Sequence, residues 1–293
     1  MHSLSKKMIK FEGMKKIVLL LAVLVCTVMQ GQPVRHTMKD AGVEREYWLF
    51  VPDSVGPERA LVFVLHGYGG KAEGYFPAII ETAQKYGFMV CMPQGLKDPG
   101  KGKTGWNVGY PSQEGWKQDD VAFVLHLQKQ LVKEYNVKNC FFSGMSNGGE
   151  MCYIMAYKHP ERFNAICSLA GLTMEWLYTT VRPKGQVPFM EVHGTADKTS
   201  KWNGDPENKD GWGKYVAVPM AVGRIISEDN CTHELCDTLP KYKPESNTVV
   251  LHRYVGSGPE VRLYEVIGGK HSTGYKDIDI TEEMWSFFKQ YLK

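Results

Sequence analysis

Three residues in this chain have the types and order needed to attack a carbonyl: Ser146, Asp197 and His271. A serine hydroxyl is a poor nucleophile at neutral pH. It needs a base to take its proton, and the base needs an acceptor that fixes its tautomer. Ser146 lies in Gly144-Met145-Ser146-Asn147-Gly148, directly after the apolar run Asn139-Cys140-Phe141-Phe142-Ser143 and before a helix-compatible stretch over 149–157. That pattern predicts a strand, a sharp turn and a helix, with the serine hydroxyl pushed out at the turn. Side chains at the flanking glycines would collide with neighbouring strand and helix. Asp197 closes Val192-His193-Gly194-Thr195-Ala196-Asp197, and His271 follows a strand-like run in the glycine-flanked segment Gly268-Gly269-Lys270-His271. Serine, then acid, then histidine is one of the recurring orders of a nucleophile–base–acid set.

Rivals exist for two of these roles. His193 precedes the acid inside the segment that delivers it, His252 falls in a strand-like run, and His233 sits beside two cysteines. Asp205 and Asp210 could reach inward from the stretch after Asp197, but Asp197 stands just past the strand, where its position is rigid. Asp277 and Asp279 come after His271 and suit the cap of a last helix. Attack on a carbonyl also creates an oxyanion that needs fixed N–H donors. The backbone of Asn147, next to the nucleophile, is one candidate. The turn His66-Gly67-Tyr68-Gly69-Gly70 supplies the other, with Tyr68 as the expected amide. That turn lacks the lysine-serine sequel and the glycine register of a phosphate cradle, and no cofactor is expected.

The elements around these residues alternate. Leu61–Leu65, Phe88–Met92, Asn139–Ser143, Ala165–Leu169, Pro188–Val192 and Val261–Val266 read as strands. Helices are expected over 73–86, 119–135, 148–158, around 217–228, and over 281–292. Continuously apolar strands separated by helices argue for an α/β fold with a mostly parallel central sheet covered on both faces. Residues 95–118 and 198–216 break the rhythm. Both are rich in glycine and aromatics and follow predicted strands, so they should wall a cleft over Ser146. Trp106 and the Trp202-Asn203 pair are the candidate substrate contacts there, because aromatic faces stack on sugars and phenolic acids.

Composition fits one globular domain over residues 32–293. The chain is 43% hydrophobic and 23% charged, with a net charge of +3 and its basic residues scattered, which excludes an electrostatic nucleic-acid binder. Residues 1–31 read as a signal peptide: Lys15-Lys16, the apolar run Ile17–Val28, and small Gly31 near the end. The run is shorter than the ~20 residues of a membrane span. Export to the periplasm or the medium is therefore expected. Lipid anchoring at Cys26 is disfavoured by the bulky Val25 before it. Cys91, Cys140 and Cys167 lie in strand-like runs as buried thiols, whereas Cys231 and Cys236 fall in a polar segment and could pair in an oxidising compartment. A zinc site from those two and His233 would need further ligands, and no metal is expected.

From about Arg45 to Lys293 the chain resembles carbohydrate esterase family one, within the α/β-hydrolase superfamily. That family groups feruloyl and acetylxylan esterases, close to polyhydroxybutyrate depolymerase-like enzymes. The resemblance is carried by Leu65-His66-Gly67-Tyr68-Gly69-Gly70, Gly105-Trp106-Asn107, Asp119-Asp120-Val121-Ala122-Phe123, Ser143–Gly149, His193–Asp197, Asn230-Cys231 and Gly268–His271. It implies Ser146 as nucleophile, Asp197 as acid and His271 as base. It further implies a secreted esterase removing feruloyl or acetyl groups from plant cell-wall polysaccharides. Relatives tend to pair the asparagine-cysteine position with a cysteine before the last strand. Here Ser257 occupies that region, leaving Cys231 to pair with Cys236 or stay free. A general carboxylesterase, a polyester depolymerase-like enzyme or a prolyl oligopeptidase-type peptidase would share the same nucleophile. The last usually needs a gating domain that 293 residues leave no room for. A carbohydrate-binding protein that has lost catalysis would have no need of the ordered set.

Overall fold

The computed structural model describes residues 31–74, 76–272 and 276–293. The expected signal peptide, with Cys26, lies outside the described residues except for Gly31. Pro33–Lys293 forms one compact unit.

Its backbone is a ten-stranded sheet. The chain enters through the hairpin β1 (Val34–Asp40) and β2 (Val43–Phe50), then runs through β3 (Ala60–Leu65), helix α1 (Pro77–Tyr86) and β4 (Met89–Pro93). A small ribbon, β5 (Leu96–Lys97) with β6 (Thr104–Gly105), follows before α2 (Asp120–Tyr135). The second half holds β7 (Asn139–Met145), α3 (Asn147–Lys158), β8 (Ala165–Leu169), α4 (Glu175–Thr180), β9 (Phe189–Gly194) and α5 (Val218–Glu228). It ends with β10 (Cys231–Thr238), β11 (Thr248–Gly256), β12 (Val261–Ile267) and α6 (Ile280–Phe288).

The sheet order is β1-β2-β4-β3-β7-β8-β9-β12-β11-β10. The six strands from β4 to β12 in that order run parallel, and an antiparallel pair closes each end. The parallel strands are buried on both faces, as their unbroken apolar runs require. In β3, Leu61, Phe63 and Leu65 join one core, while Ala60, Val62 and Val64 join the other. Helices α2, α3 and α5 cover the first face, and α1 and α6 the second.

The order of connection fixes where a site can be. From β3 the chain crosses to β4 on one side and returns to β7 on the other. The crevice between the carboxyl ends of β3 and β7 is thus the point where strand order reverses, the usual binding position in such sheets. Both the Gly67–Gly70 turn and Ser146 leave the sheet there.

Helix ends follow local chemistry. The Asp119 side chain accepts the Ala122 amide to start α2, and Asp279 accepts the Glu282 amide to start α6. The last helix stops at Phe288 and tightens into a 3-10 turn over Lys289–Tyr291, short of the expected 292.

The sheet's edges hold two strands that no apolar pattern marks. Residues 231–238 form a strand rather than a loop, and 34–40 form another; both are outermost strands with largely exposed side chains. An extended strand advances ~3.3 Å per residue, so Cys231 and Cys236 stand roughly 16 Å apart. A disulfide needs Cα atoms within about 7 Å. Both cysteines are free.

Candidate active site

Ser146 sits between the last residue of β7 and the first of α3, with φ 54° and ψ −119°. A side-chain-bearing residue held at positive φ costs roughly 1–3 kcal/mol and persists only where its surroundings enforce it. Here they do. The Ser146 amide donates to Leu169 O at 2.8 Å, and its carbonyl accepts the Glu150 amide at 2.9 Å. A Cβ on Gly144 would overlap the Gly148 carbonyl, and one on Gly148 would overlap the carbonyl of Leu65. Only glycine permits this approach of strand, turn and helix.

Asp197 and His271 arrive on two turns laced together beyond β9 and β12. Ala196 N donates to Gly269 O at 2.9 Å, Thr195 N to Val266 O at 3.0 Å, and Gly268 N to Thr195 Oγ1 at 2.8 Å. The buried Asp197 carboxylate accepts the Thr199 and Ser200 amides on Oδ1, at 2.7 and 2.9 Å. Its Oδ2 lies 2.7 Å from His271 Nδ1. The other ring nitrogen, Nε2, lies 3.1 Å from Ser146 Oγ. With a carboxylate on one side and a hydroxyl on the other, Nδ1 carries the proton and Nε2 is free to accept the serine's. The structure brings these three side chains into one hydrogen-bonded chain.

The rivals have other partners. His252 bridges Glu234 and Glu265, and His233 lies on exposed β10. Asp205 accepts the Asp210 amide, Asp210 pairs with Lys201, and Asp277 accepts the Asn247 amide. His193 is buried 3.8 Å behind Asp197. Among the described residues no three potential metal ligands come together.

The Asn147 and Tyr68 amides flank Ser146: Asn147 follows it in the chain, and Tyr68 follows Gly67, whose Cβ would stand 3.3 Å from Ser146 Cβ. Neither amide donates to an acceptor among the described residues. Beneath them His66 is buried and neutral. Its Nδ1 donates to Gly67 O at 2.7 Å and its Nε2 accepts the Gly95 amide at 3.0 Å. Burial pulls its pKa down to about 4.

The expected substrate contacts are the main correction. Trp106 is fully buried: its indole N–H donates to His66 O at 2.8 Å, and its backbone exchanges hydrogen bonds with the Asn147 side chain. It props the turn from below. Trp202 packs against the core with its edge toward His193, and Asn203 is exposed. Neither lines the cleft.

The cleft over Ser146 and His271 encloses about 240 Å³ and is lined by Tyr68, Tyr110, Leu172 and Trp212, with Lys103 and Thr199 among its polar groups. Tyr68, Tyr110 and Trp212 pack ring against ring at 5.3–5.9 Å between centroids. Burial, helped by the hydrogen bond from its hydroxyl to Asp98, pushes the Tyr68 phenol up to about 12. Both long loops contribute, through Lys103 and Tyr110 from one and Thr199, Ser200 and Trp212 from the other. A larger hollow of about 390 Å³ against α1 and α6 contains no histidine in its lining.

Glu150 also reaches the cleft, and sequence reasoning passed it over. It accepts the Tyr110 hydroxyl at 2.7 Å, and burial pushes its carboxyl up to about 8. The signal was its place four residues after Ser146, one helical turn along α3.

The model of the prolyl oligopeptidase family matches residues 75–215, a stretch that holds Ser146 and Asp197. A probable acetylxylan esterase A of Aspergillus fumigatus is 27% identical over 140 residues, 45% of this chain and 36% of that protein. Feruloyl esterase B of Neurospora crassa is 28% identical over 131 residues, 43% of each. The matched stretches thus span less than half the length of these curated relatives. Among solved structures, the acetyl xylan esterase from Aspergillus awamori superposes with a TM-score of 0.56 at 16% identity, covering 87% of this chain and 99% of that one. With its parallel sheet, the Ser146 turn at the reversal of strand order and the superposition on that solved structure, the chain has the α/β-hydrolase fold.

Proposed function

We propose that this protein is a serine esterase that removes feruloyl or acetyl groups from plant cell-wall polysaccharides through an acyl-enzyme on Ser146. The observation that carries this reading is the Ser146–His271–Asp197 hydrogen-bonded chain at the floor of an aromatic cleft. Ser146 Oγ attacks the ester carbonyl as His271 Nε2 takes its proton, and Asp197 stabilises the imidazolium. The Tyr68 and Asn147 amides receive the oxyanion, each worth roughly 3–4 kcal/mol. His271 returns the proton to the departing sugar oxygen. Water, deprotonated by the same base, then releases the acid.

The cleft favours a small acyl group. Its volume is below the roughly 300–1,000 Å³ of pockets that enclose drug-sized ligands, so a phenolic ring or an acetyl would enter while the glycan stays outside. Tyr68 and Trp212 offer the stacking faces, backed by the buried Tyr110. The relatives named as acetylxylan and feruloyl esterases point the same way. The signal-like pattern of residues 1–31 supports export, and an exported enzyme would meet an extracellular or periplasmic glycan substrate.

Purified enzyme assayed on methyl ferulate, acetylated xylan, a short aliphatic polyester and a chromogenic peptide tests the proposal. The expected order places one of the first two well above the others. Preference for the polyester would overturn the cell-wall reading. Preference for the peptide would favour the second reading, a peptidase, which the prolyl oligopeptidase family match supports.

A further inference from the structure

Behind Asp197 lies a buried ionisable pair that the steps above do not use. Glu191 and His193 stand two residues apart on β9, so their side chains share one face. Both side chains are fully buried. His193 Nδ1 lies 2.9 Å from Glu191 Oε1, and its Nε2 lies 2.8 Å from Ser200 O and 3.8 Å from Asp197 Oδ2. Glu191 Oε2 accepts the Tyr153 hydroxyl at 3.1 Å, from the helix that begins at the nucleophile. The middle of a parallel strand is where an aliphatic side chain would pack at least cost, and a buried charge pair often contributes less to stability than its apolar replacement. The arrangement therefore calls for a role other than stability.

The geometry assigns the protons. Nε2 faces a carbonyl and a carboxylate, both acceptors, so it carries a hydrogen. Nδ1 faces the Glu191 carboxylate, and a second proton lies between them. That N–H on Nε2 holds the Ser200 carbonyl in place, and the Ser200 amide in turn holds Asp197 Oδ1. We propose that His193, anchored by Glu191, is a positioning residue for Asp197: it fixes the Thr199–Ser200 turn and sets the carboxylate so that Oδ2 stays aimed at His271. The inference rests on the serine–histidine–aspartate reading above.

The surroundings keep this unit closed. Tyr153 and Cys152 face it from α3 and Cys167 from β8; Asp197 lies in the following turn, and Glu265 stands opposite His193 in the β12 register. The Trp202 ring covers the imidazole edge-on at 6.1 Å. Burial pushes the Glu191 carboxyl up. For His193 burial acts downward, but the Glu191 carboxylate outweighs it and the imidazole is raised. Both directions favour a proton held between the two groups.

The test is steady-state kinetics of His193→Ala and Glu191→Gln on methyl ferulate across pH, with nitrogen NMR of the wild-type histidines. A misplacement of this kind costs about 10- to 100-fold in kcat, with KM held within about twofold. Loss of the N–H near Asp197 leaves that carboxylate a more basic partner for His271, so the acid limb of kcat moves to higher pH in His193→Ala. A merely structural histidine would lower the yield of folded protein and leave that limb where it was. In the wild-type, His193 should show a protonated Nε2 that does not titrate between about pH 6 and 8, a reading independent of whether the variants fold. A wild-type acid limb in folded His193→Ala, or a His193 ring titrating as a free imidazole, would overturn the inference. Ser146→Ala serves as control: residual turnover there would remove the nucleophile assignment and the inference with it.

Discussion

The floor and the rim of the cleft are built by opposite rules. At the floor, Gly144, Gly148, Trp106, Asn147 and His66 are packed until nothing can be added. Backbone meets backbone, and Trp106 and the side chains of Asn147 and His66 are tied to neighbours. At the rim, Trp212 is half-buried and held by ring packing, and Lys103 is exposed. The floor sets the chemistry, because a displaced atom there moves the nucleophile. On the proposed function, the rim meets the acyl group and sets preference. Two tryptophans in similar glycine-rich loops consequently do different work, Trp106 as a buried prop and Trp212 as a wall.

The contrast is sharpest under substitution. Gly148→Ala drives a methyl into the Leu65 carbonyl, so we expect about 4 kcal/mol or more of lost stability and no activity. An alanine variant with a wild-type urea midpoint would show the floor to be looser than described. Trp106→Ala comes next, at about 3–5 kcal/mol, with kcat falling because the Asn147 turn loses its support. Rim-like behaviour, a changed KM at unchanged stability, would contradict the assignment of Trp106 to the floor.

Acid should attack the floor as well. His66 has a folded pKa of about 4 against an ordinary 6.5. Between these values the unfolded chain binds a proton that the folded chain refuses. Its contribution is present above pH 6.5 and is lost as pH falls toward 4, on the order of 3 kcal/mol in total. Urea midpoints of wild-type and His66→Gln at the two ends of that range measure it. An equal acid loss in both proteins would assign the sensitivity elsewhere. At the rim, Trp212→Ala should raise KM for methyl ferulate up to about tenfold, the worth of one aromatic contact, while stability stays near wild-type. A large loss of stability there would erase the distinction between floor and rim.

Much of the floor was legible in the sequence. Strands buried on both faces announce themselves as unbroken apolar runs, as Leu61–Leu65 and Phe141–Phe142 do. The glycines around Ser146 mark a turn with no room for side chains. The edges were less legible: β1 and β10 bury almost nothing, so no apolar pattern distinguishes them from loops. Rim contacts were misread for another reason. A loop has no fixed periodicity to say which way a ring points, and Trp106, Trp202 and Trp212 look alike until the hydrogen bonds of Asn147 and His66 turn one of them inward. Glu191 and His193 could have been noticed as two ionisable residues in an otherwise apolar strand, a pattern that demands a partner.

The proposed chemistry stands or falls with Ser146 as the nucleophile, activated by His271. Fluorophosphonate labelling followed by peptide mass mapping tests it most directly. The peptide carrying Ser146 should take up one equivalent of label, with none in Ser146→Ala and labelling slowed by orders of magnitude in His271→Ala. Label on Ser143 or Ser272, or unchanged labelling without His271, would contradict it.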